Sequence, residues 1–449
     1  MSTVMPYRSP APPETAARLL LGLSADTTDA SLQTHLERWG ALPRRGPELV
    51  NELDASGLAG HGGAWFPVAA KWRSVAAASR RRPVVVANGA EGEPASRKDA
   101  LLLTRAPHLV LDGLSLASET MRAHRAIAYV PAHLRPTVDH AVAERRRRRT
   151  DAVEIEIVEC PHTFLAGQET AVVSQIGGSR HGALPTFQGL TPVRERGVGG
   201  RPTLIHNAET LAQVALVGRF GAAWFRSVGA TDAPGTMLMT VTRATGTFVV
   251  EAALGSSLRQ ATRVTDEELA TVQGVLLGGY GGGWVSTRDF GQLPVSEKAV
   301  RRAGSTLGAG VVALLPGHVC PLAEMAAVVR YMERQGAGQC GPCIHGLADL
   351  ASSMEALTLG GPGSARPERL AEVCHLVEGR GACRHPDGVA RFVRTGLQVF
   401  ADEVIAHQHN GGCARVHAPR VLPGTGAGGT PRSTRPAGAT PTRRLVRGS

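Results

Sequence analysis

The sequence predicts an α/β fold with a largely parallel sheet, followed by a small β-rich module and a helical domain. Three observations support this order. Short apolar runs alternate with helical patterns from about residue 46 to 230, and two β-rich runs follow a change of texture at about 235. From about 318 to 408 the apolar residues recur with helical spacing. The 449 residues are enough for two to four globular domains.

In the first region, strands are predicted at 83–89, 126–132 and 152–158, with a helix at 109–124 between the first two. This alternation is typical of a parallel sheet, in which ligands bind beyond the carboxyl ends of the strands. We place this domain at residues 46–233. A lead-in rich in Pro, Ala and Arg precedes it at residues 1–45.

The second region carries two β-rich runs around a glycine-containing turn at 244–246 and is predicted to be a β-grasp-type module at residues 234–316. The third region, residues 317–410, has four helical patterns with cysteines at their ends. Beyond it, residues 411–449 show no apolar periodicity and are predicted to form a disordered basic tail.

The formal charge of +11 is confined to a few places in the sequence. Seven arginines and no acidic residue lie in 414–449, and five more arginines form the run 145–149. The rest of the chain is close to neutral and has no basic stripe interleaved with aromatic residues, which a nucleic-acid groove requires. We therefore expect no nucleic-acid partner.

No window approaches the 18 apolar residues of a membrane span, and the N-terminus lacks a basic segment followed by an apolar one. This predicts a cytoplasmic protein without direct membrane insertion. The seven cysteines are an odd number in a chain without a secretory signal, so thiols or metal ligands are expected instead of a disulfide framework.

A glycine-rich stretch from Gly57 to Pro67 is followed by Lys71 and Trp72. Glycines at this spacing let backbone amides approach a phosphate or a planar ring, and a nearby lysine adds positive charge. Taken alone, the stretch is equally explained as an ordinary glycine-rich turn.

Three polar segments lie where predicted strands end or helices begin. The first, residues 88–99, places an amide and two carboxylates after a strand, where they suit hydrogen bonds to the hydroxyls and ring edges of a ligand. The other two, 166–171 and 205–211, open helical patterns. A charged turn and two helix caps are the alternative interpretation.

Cys340 and Cys343 are the only close cysteine pair, and Cys383 follows forty residues later. Two thiolates three residues apart can reach the same cluster or ion, so an iron–sulfur or zinc site is predicted. Reduced, buried cysteines are the alternative.

These motifs, in this order and spacing, resemble the flavin-bearing, NADH-oxidising subunit of respiratory complex I and the related diaphorase subunits of NAD-linked hydrogenases and formate dehydrogenases. The resemblance runs from about residue 50 to 400. The positions that match the family are Gly60, Gly62, Gly63, Phe66, Pro67, Lys71 and Trp72; Asn88, Glu91, Glu93 and Pro94; Gly167, Glu169, Thr170 and Ala171; and Asn207, Glu209, Thr210 and Leu211.

The resemblance implies a Rossmann-like FMN-binding domain, then the β-grasp module, then a helical iron–sulfur bundle. FMN would lie along the glycine loop, accept hydride from NADH or another donor and pass single electrons to a [4Fe–4S] cluster. The implied partners are a nicotinamide nucleotide and a ferredoxin-like or other redox subunit, and the location is cytoplasmic or peripheral to a membrane redox complex. Phe66 and Glu169 are implied to face the nucleotide. The residues implied to hold FMN are Gly60, Gly62, Gly63, Lys71, Asn88, Glu91, Glu93, Asn207 and Thr210.

The sequence departs from the family at the cluster. The family has Cys-x2-Cys-x2-Cys and a distant fourth cysteine, whereas position 337 is Ala, which leaves Cys340, Cys343 and Cys383. Three thiolates can hold a cubane whose fourth iron takes water or an outside ligand, or a cluster that lacks this iron. The candidate substitutes for the missing cysteine are His345, His385 and Cys374.

The nucleotide side departs as well, since Trp65 stands at the last glycine of the loop. Ala90 replaces an acid, Gln168 a glutamate and His206 an asparagine, and 190–192 reads Leu-Thr-Pro where the family has Pro-Pro-Phe. We therefore predict a divergent paralogue that is an NADH dehydrogenase-like oxidoreductase. The alternative is a non-catalytic or flavin-only subunit that has lost NADH binding, cluster binding or both.

Overall fold

The computed structural model describes residues 17–23, 29–78, 81–179, 182–186, 192–360 and 366–424. Of the helices within these ranges, none is both long enough and apolar enough to span a bilayer.

A four-stranded parallel sheet forms the first part of the fold, as the alternating pattern predicts. Its strands are β1 (Val84–Asn88), β2 (Arg125–Pro131), β3 (Ile155–Cys160) and β4 (Thr203–Asn207), in the order β3-β2-β1-β4. Every residue of β1 is buried, as expected for a parallel strand with both faces covered. The helices of this part are α1 (Leu32–Trp39), α2 (Leu49–Ser56), α3 (Val68–Ala78), α4 (Lys98–Arg105), α5 (Pro107–Thr120), α6 (Arg135–Arg148), α7 (Glu169–Ile176) and α8 (Ala208–Arg226).

The order of the strands defines one crevice in this sheet. From β1 the chain moves to β2 and β3 on one side and returns to β4 on the other, so the strand order reverses between β1 and β4. Asn88 and Asn207 end these two strands and pair in register. Open α/β sheets bind ligands outside the carboxyl ends of the strands at such a reversal.

A five-stranded mixed sheet follows. A hairpin joins β7 (Thr236–Arg243) to β8 (Gly246–Ala253) at the turn predicted at 244–246, and β11 (Val311–Pro316) runs parallel to β7. With β9 (Val272–Leu277) and β10 (Gly283–Val285), the order is β10-β9-β11-β7-β8. The remaining elements are the short ribbon of β5 (Gly229–Ala230) and β6 (Ala233–Pro234) and the helices α9 (Leu258–Thr262), α10 (Asp266–Ala270), α11 (Thr287–Gln292) and α12 (Glu297–Arg302).

The last part is a helical bundle whose core contains the fully buried side chains of Leu350, Met354 and Phe392. The fourth helical pattern of the sequence is divided at Phe400 into two helices. A π-helical turn at Pro342–Gly346 leads into the second helix. The bundle consists of α13 (Pro321–Gln335), α14 (Leu347–Leu359), α15 (Pro367–Val377), α16 (His385–Val399) and α17 (Ala401–Asn410).

Residues 411–424 pack against the bundle, so the prediction that they belong to a disordered tail is wrong. Val416 and Leu422 are 5% and 3% exposed, and the Glu324 carboxylate accepts hydrogen bonds from two backbone N–H groups of this segment at 3.2 and 3.1 Å. The segment has no helical or strand period because single apolar side chains anchor it. Residues 425–449 lie outside the described part of the chain.

Candidate functional site

The glycine loop lies across the crevice at the ends of β1 and β4. The backbone N–H of His61 donates to Thr210 Oγ1 at 2.9 Å, which fixes the loop to the first turn of α8. A Cβ at Gly62 would lie 3.3 Å from the Cβ of Asn207, so the missing side chain permits this close approach. Gly63 has φ +99°, a conformation that favours glycine.

Glu209 joins the loop to two other parts of the fold. Its Oε1 lies 2.7 Å from His61 Nδ1 and accepts from the backbone N–H of Leu238 in β7 at 2.8 Å. Its Oε2 lies 3.0 Å from the Lys98 ammonium at the start of α4. Glu209 is fully buried, and His61 and Lys98 are each 2% exposed. Glu209 is one of the positions that match the family and Lys98 lies within the polar segment 88–99, but nothing in the loop sequence marks the His61 imidazole.

Opposite charges keep Glu209 and Lys98 ionised. Burial raises the pKa of Glu209, but Lys98 and His61 outweigh it and bring the pKa to about 2. Burial lowers the pKa of Lys98, and the carboxylates of Asp99 and Glu209 raise it above its ordinary value. The site therefore contains a permanently charged lysine held between two acidic side chains.

Three other predicted site residues are engaged in hydrogen bonds that shape the crevice wall. Asn88 Nδ2 donates to the Gly167 carbonyl at 2.8 Å, and Asn207 Nδ2 donates to Asp99 Oδ2 at 2.7 Å. The Glu91 carboxylate accepts from two backbone N–H groups in the first turn of α4, at 3.1 and 3.0 Å. These contacts bring the polar segments of the sequence together at the carboxyl ends of the strands.

Glu93 connects this wall to the second sheet. Its carboxylate accepts from the backbone N–H of Tyr280 at 2.7 Å and from that of Ala95 at 3.2 Å. A Cβ at Gly279, where φ is +82°, would lie 2.4 Å from Glu93 Oε2. Burial raises the pKa of Glu93 to about 7.

Lys71, Glu169 and Phe66 lie at the rim of the crevice. Lys71 Nζ donates to the Ile205 carbonyl at 2.6 Å and forms an ion pair with Glu169. The Glu169 side chain is 48% exposed and Phe66 is 53% exposed, an uncommon value for a large apolar residue. The rim thus presents an aromatic ring and a carboxylate to any ligand that enters.

The residues that depart from the family pattern have structural roles. Trp65 keeps the left-handed backbone of a glycine, with φ 55°, and its ring lies 5.0 Å from the ring of His61. His206 is buried and accepts from Trp72 Nε1 at 2.8 Å. The Gln168 side chain caps the N-terminus of α7. The departure at 190–192 lies mostly outside the described residues, since 187–191 are not described.

The three candidate cluster cysteines converge between the turn before α14 and the start of α16. The backbone N–H of Ala382 donates to Cys340 Sγ at 3.5 Å, and Cys340 lies close enough to interact electrostatically with both Cys343 and Cys383. Hydrogen bonds to sulfur tune iron–sulfur clusters. Burial raises the pKa of Cys343 to about 12, so this thiol ionises when a metal supplies compensating charge. The donor set therefore fits a metal cluster.

The candidate fourth ligands differ in position. Cys374 is 2% exposed in the bundle core, and its thiol donates to the Ala390 carbonyl at 3.5 Å. His385 is two residues from Cys383; its Nε2 lies 2.9 Å from the Met332 carbonyl, and its Nδ1 is buried without a partner among the described residues. His345 is exposed.

Residues 163–167 connect the crevice to the cysteines. At one end the Gly167 carbonyl accepts from Asn88, and at the other the ring of Phe164 lies 5.4 Å from the ring of His385. A Cβ at Gly92 would lie 2.4 Å from the Phe164 carbonyl oxygen, so the segment is packed directly against the crevice wall. Segment 163–167 therefore contacts the crevice wall and also His385, two residues from Cys383.

Comparison with known proteins gives consistent matches. A family model described as the Nuo51 FMN-binding domain matches residues 53–216, and one described as the NADH-ubiquinone oxidoreductase-F iron–sulfur binding region matches residues 323–407. The F subunit of NADH-quinone oxidoreductase from Mycobacterium tuberculosis is 28% identical over 399 residues, which cover 83% of this chain and 87% of the relative. The F 2 subunit of the same enzyme from Rhizobium meliloti is 27% identical over 382 residues, covering 80% and 88%.

The fold is also that of a solved protein. One chain of an NAD+-reducing [NiFe]-hydrogenase in the air-oxidised state superposes with a TM-score of 0.76 and 27% identity, over 88% of this chain and 67% of that chain. The fold and site thus define an NADH dehydrogenase-like flavin and iron–sulfur oxidoreductase. The chain is similar to the NADH-quinone oxidoreductase F subunits over most of its length, and the resemblance predicted from its motifs is confirmed.

Proposed function

We propose that the crevice between β1 and β4 binds FMN and admits NADH beside it, and that electrons leave through a cluster held by Cys340, Cys343 and Cys383. The observation that carries this assignment is the packed segment 163–167, which contacts the crevice wall at Gly167 and the cysteine region through Phe164. When bound, FMN accepts a hydride and releases single electrons.

The backbone and polar groups of the crevice supply the flavin site. Gly60, Gly62 and Gly63 let backbone amides approach the cofactor, and the N-terminus of α8 and the Lys71 ammonium attract its phosphate. Asn88, Asn207 and Thr210 hold the strand ends and the loop in register around it. Glu91 and Glu93 support the flavin site indirectly, since their carboxylates accept hydrogen bonds from backbone N–H groups of the crevice wall.

The rim supplies the nucleotide site. The exposed Phe66 ring offers a stacking surface, and the half-exposed Glu169 carboxylate offers an acceptor for ribose hydroxyls. Glu169 forms an ion pair with Lys71. A nucleotide whose ribose hydroxyls bind the Glu169 carboxylate therefore frees the Lys71 ammonium to bind the flavin phosphate.

The three parts of the chain are proposed to act as a flavin domain (46–233), a β-grasp module (234–316) and an iron–sulfur bundle (317–410). The order β10-β9-β11-β7-β8 with parallel central strands supports the β-grasp assignment. The relatives are subunits of NADH-quinone oxidoreductase and a chain of a hydrogenase. We propose accordingly that this chain works in the cytoplasm, at the periphery of a redox complex, and donates electrons to a ferredoxin-like subunit.

Cofactor content tests the assignment. Full-length chain purified without oxygen is expected to contain one FMN, released on denaturation, and acid-labile sulfide with at least three irons. Replacing Thr210 by Val removes the acceptor of the His61 N–H and should lower FMN retention, whereas Thr358→Val in the bundle should not. A colourless protein would contradict the proposal. FMN without iron would favour the alternative, a flavin-only subunit.

A further inference from the structure

A second cluster of metal-binding side chains lies at the opposite end of α13 from the cysteines already described. It consists of Cys320, Glu403, His407 and Cys413, whose ligand atoms all lie within 4.8 Å of one another. Cys320 precedes the 15-residue helix α13, so about 22 Å of helix separates this cluster from the end of α13 that leads to Cys340. The proposed flavin and iron–sulfur chemistry does not use any of these four residues.

Local structure brings the four side chains together. Cys320 is the N-cap residue of α13, and Glu403 and His407 are four residues apart, on one face of α17. The helix ends at Gly411, which has φ 72°, and the reversal of the chain there places Cys413 beside the same face. Two helices and the segment behind them therefore meet at these four residues.

The groups are close and well buried. Cys320 Sγ lies 3.5 Å from His407 Nε2, and the same nitrogen lies 3.2 Å from Glu403 Oε1. Cys320 is fully buried and His407 is 1% exposed. His407 Nδ1 is buried and has no hydrogen-bond partner among the described residues. Burial, with Cys413 nearby, raises the pKa of the Cys320 thiol to about 12. The cluster thus brings two thiols, an imidazole and a carboxylate into direct contact inside the protein.

An arginine completes the charge balance. Arg415 Nη2 donates to Glu403 Oε2 at 2.5 Å, which turns the other carboxylate oxygen toward His407 and the cysteines. Two thiolates and a carboxylate around a divalent cation carry a net charge of −1, and the Arg415 guanidinium neutralises it. Outer residues that orient a ligand in this way are typical of protein metal sites.

We propose that Cys320, Glu403, His407 and Cys413 bind a structural zinc ion. Two sulfurs, one imidazole nitrogen and one carboxylate oxygen form a closed four-ligand set of the kind that Zn2+ prefers. Tetrahedral coordination at the usual bond lengths separates the ligand atoms by about 3.3 to 3.8 Å, so contraction by about 1 Å suffices. Binding releases the two thiol protons and leaves the metal without an open position for chemistry.

The zinc ion would close the bundle. It ties the start of the first bundle helix, α13, to the last helix, α17, and to segment 411–424, whose Val416 and Leu422 are buried in the bundle core. Because an ion that binds only the folded chain stabilises it, zinc is expected to raise the melting temperature of the bundle.

The test uses full-length chain in which Cys340, Cys343 and Cys383 are replaced by Ala, so that only the second cluster remains to bind metal. Stripped of metal and titrated with Zn2+ against a chromophoric chelator, this protein should bind one equivalent. Co2+ should give the intense visible bands of a tetrahedral site and thiolate-to-metal charge transfer. Adding Cys413→Ser should abolish both. Adding Cys160→Ser, at a buried thiol outside both clusters, should change neither.

Arg415→Gln provides a milder variant that keeps all four ligands. It should weaken zinc binding about 10- to 100-fold, as expected for the loss of an outer partner, while the metal-free protein should lose only a little stability with the partly exposed Arg415–Glu403 ion pair. The proposal is overturned if the starting protein binds no zinc, or if Cys413→Ser binds it as tightly as Cys160→Ser. The proposal is also overturned if Cys320 and Cys413 form a disulfide even when zinc is present.

Discussion

His61 Nδ1 and Glu209 Oε1 are 2.7 Å apart, and both side chains are buried. This contact anchors the glycine loop to a carboxylate that also holds Lys98 and the Leu238 backbone. The position of the loop at the flavin crevice therefore depends on one buried charge network.

Replacing Glu209 by Gln should destabilise the protein by about 3 kcal/mol, because Lys98 then remains buried with Asp99 as its only carboxylate contact from this network. FMN should also dissociate more readily. Chemical denaturation and the FMN-to-protein ratio measure the two effects. The control Glu156→Gln removes a half-exposed ion pair with Arg125 and should lower the free energy of unfolding by no more than about 1 kcal/mol. Equal losses in the two variants would show that the network has no special role.

Trp65→Gly should improve NADH binding, since it removes a ring from the loop position where the family has glycine. We expect the apparent KM for NADH to fall roughly tenfold, which corresponds to about 1.4 kcal/mol. Arg263→Gly is the matched control, because Arg263 has the same φ of 55° but lies outside the crevice. If KM responds alike in both variants, the Trp65 ring does not restrict the nucleotide.

Ala337→Cys should supply the missing fourth thiolate of the cluster. The variant is expected to retain four irons on exposure to air, whereas the natural chain loses iron. Iron analysis and EPR of the reduced protein report the difference. Ala348→Cys adds a thiol nearby on α14 and should leave iron content unchanged. An unaltered cluster in Ala337→Cys would mean that another ligand already fills this position.

Glu93 should make the stability of the flavin-free protein fall as pH rises toward neutrality. Its pKa is raised from 4.5 to about 7 in the folded chain, so the folded state holds a proton that the unfolded state has released. The contribution is fully present below pH 4.5 and is lost between about pH 4.5 and 7, with a size of roughly 3 kcal/mol. Glu93→Gln should remove this slope from denaturation curves, and Glu154→Gln, at an exposed ion pair, should preserve it. If stability depends on pH in the same way in Glu93→Gln and in the natural chain, the Glu93 carboxyl is not protonated in the folded protein.

Much of the fold follows from sequence periodicity. The apolar runs at 83–89, 126–132 and 152–158 correspond to β1, β2 and β3. They are recognisable because buried parallel strands are nearly continuous runs of hydrophobic residues. Segment 411–424 was missed because its order depends on isolated contacts such as Leu422, which leave no period.

The site was only partly predictable. The motifs identify Glu209 and the segment 88–99 that contains Lys98. The contacts of Glu209 with His61 and Leu238 depend on packing between separate elements, which the motifs do not encode. Packing between separate elements also forms the cluster of Cys320, Glu403, His407 and Cys413, so the sequence does not reveal it. Cys320 and Cys413 are 93 residues apart in sequence, and neither has a metal-binding spacing to any neighbour.

Electron transfer from NADH through the flavin to the cluster can be followed by anaerobic titration of the holoprotein with NADH, with the flavin monitored by absorbance and the cluster by low-temperature EPR. We expect NADH to bleach the flavin and a cluster signal to grow with it. That signal should be absent in Cys383→Ala, while flavin bleaching persists. A flavin that NADH leaves oxidised, or a bleached flavin with no cluster signal in the natural chain, would contradict this electron transfer.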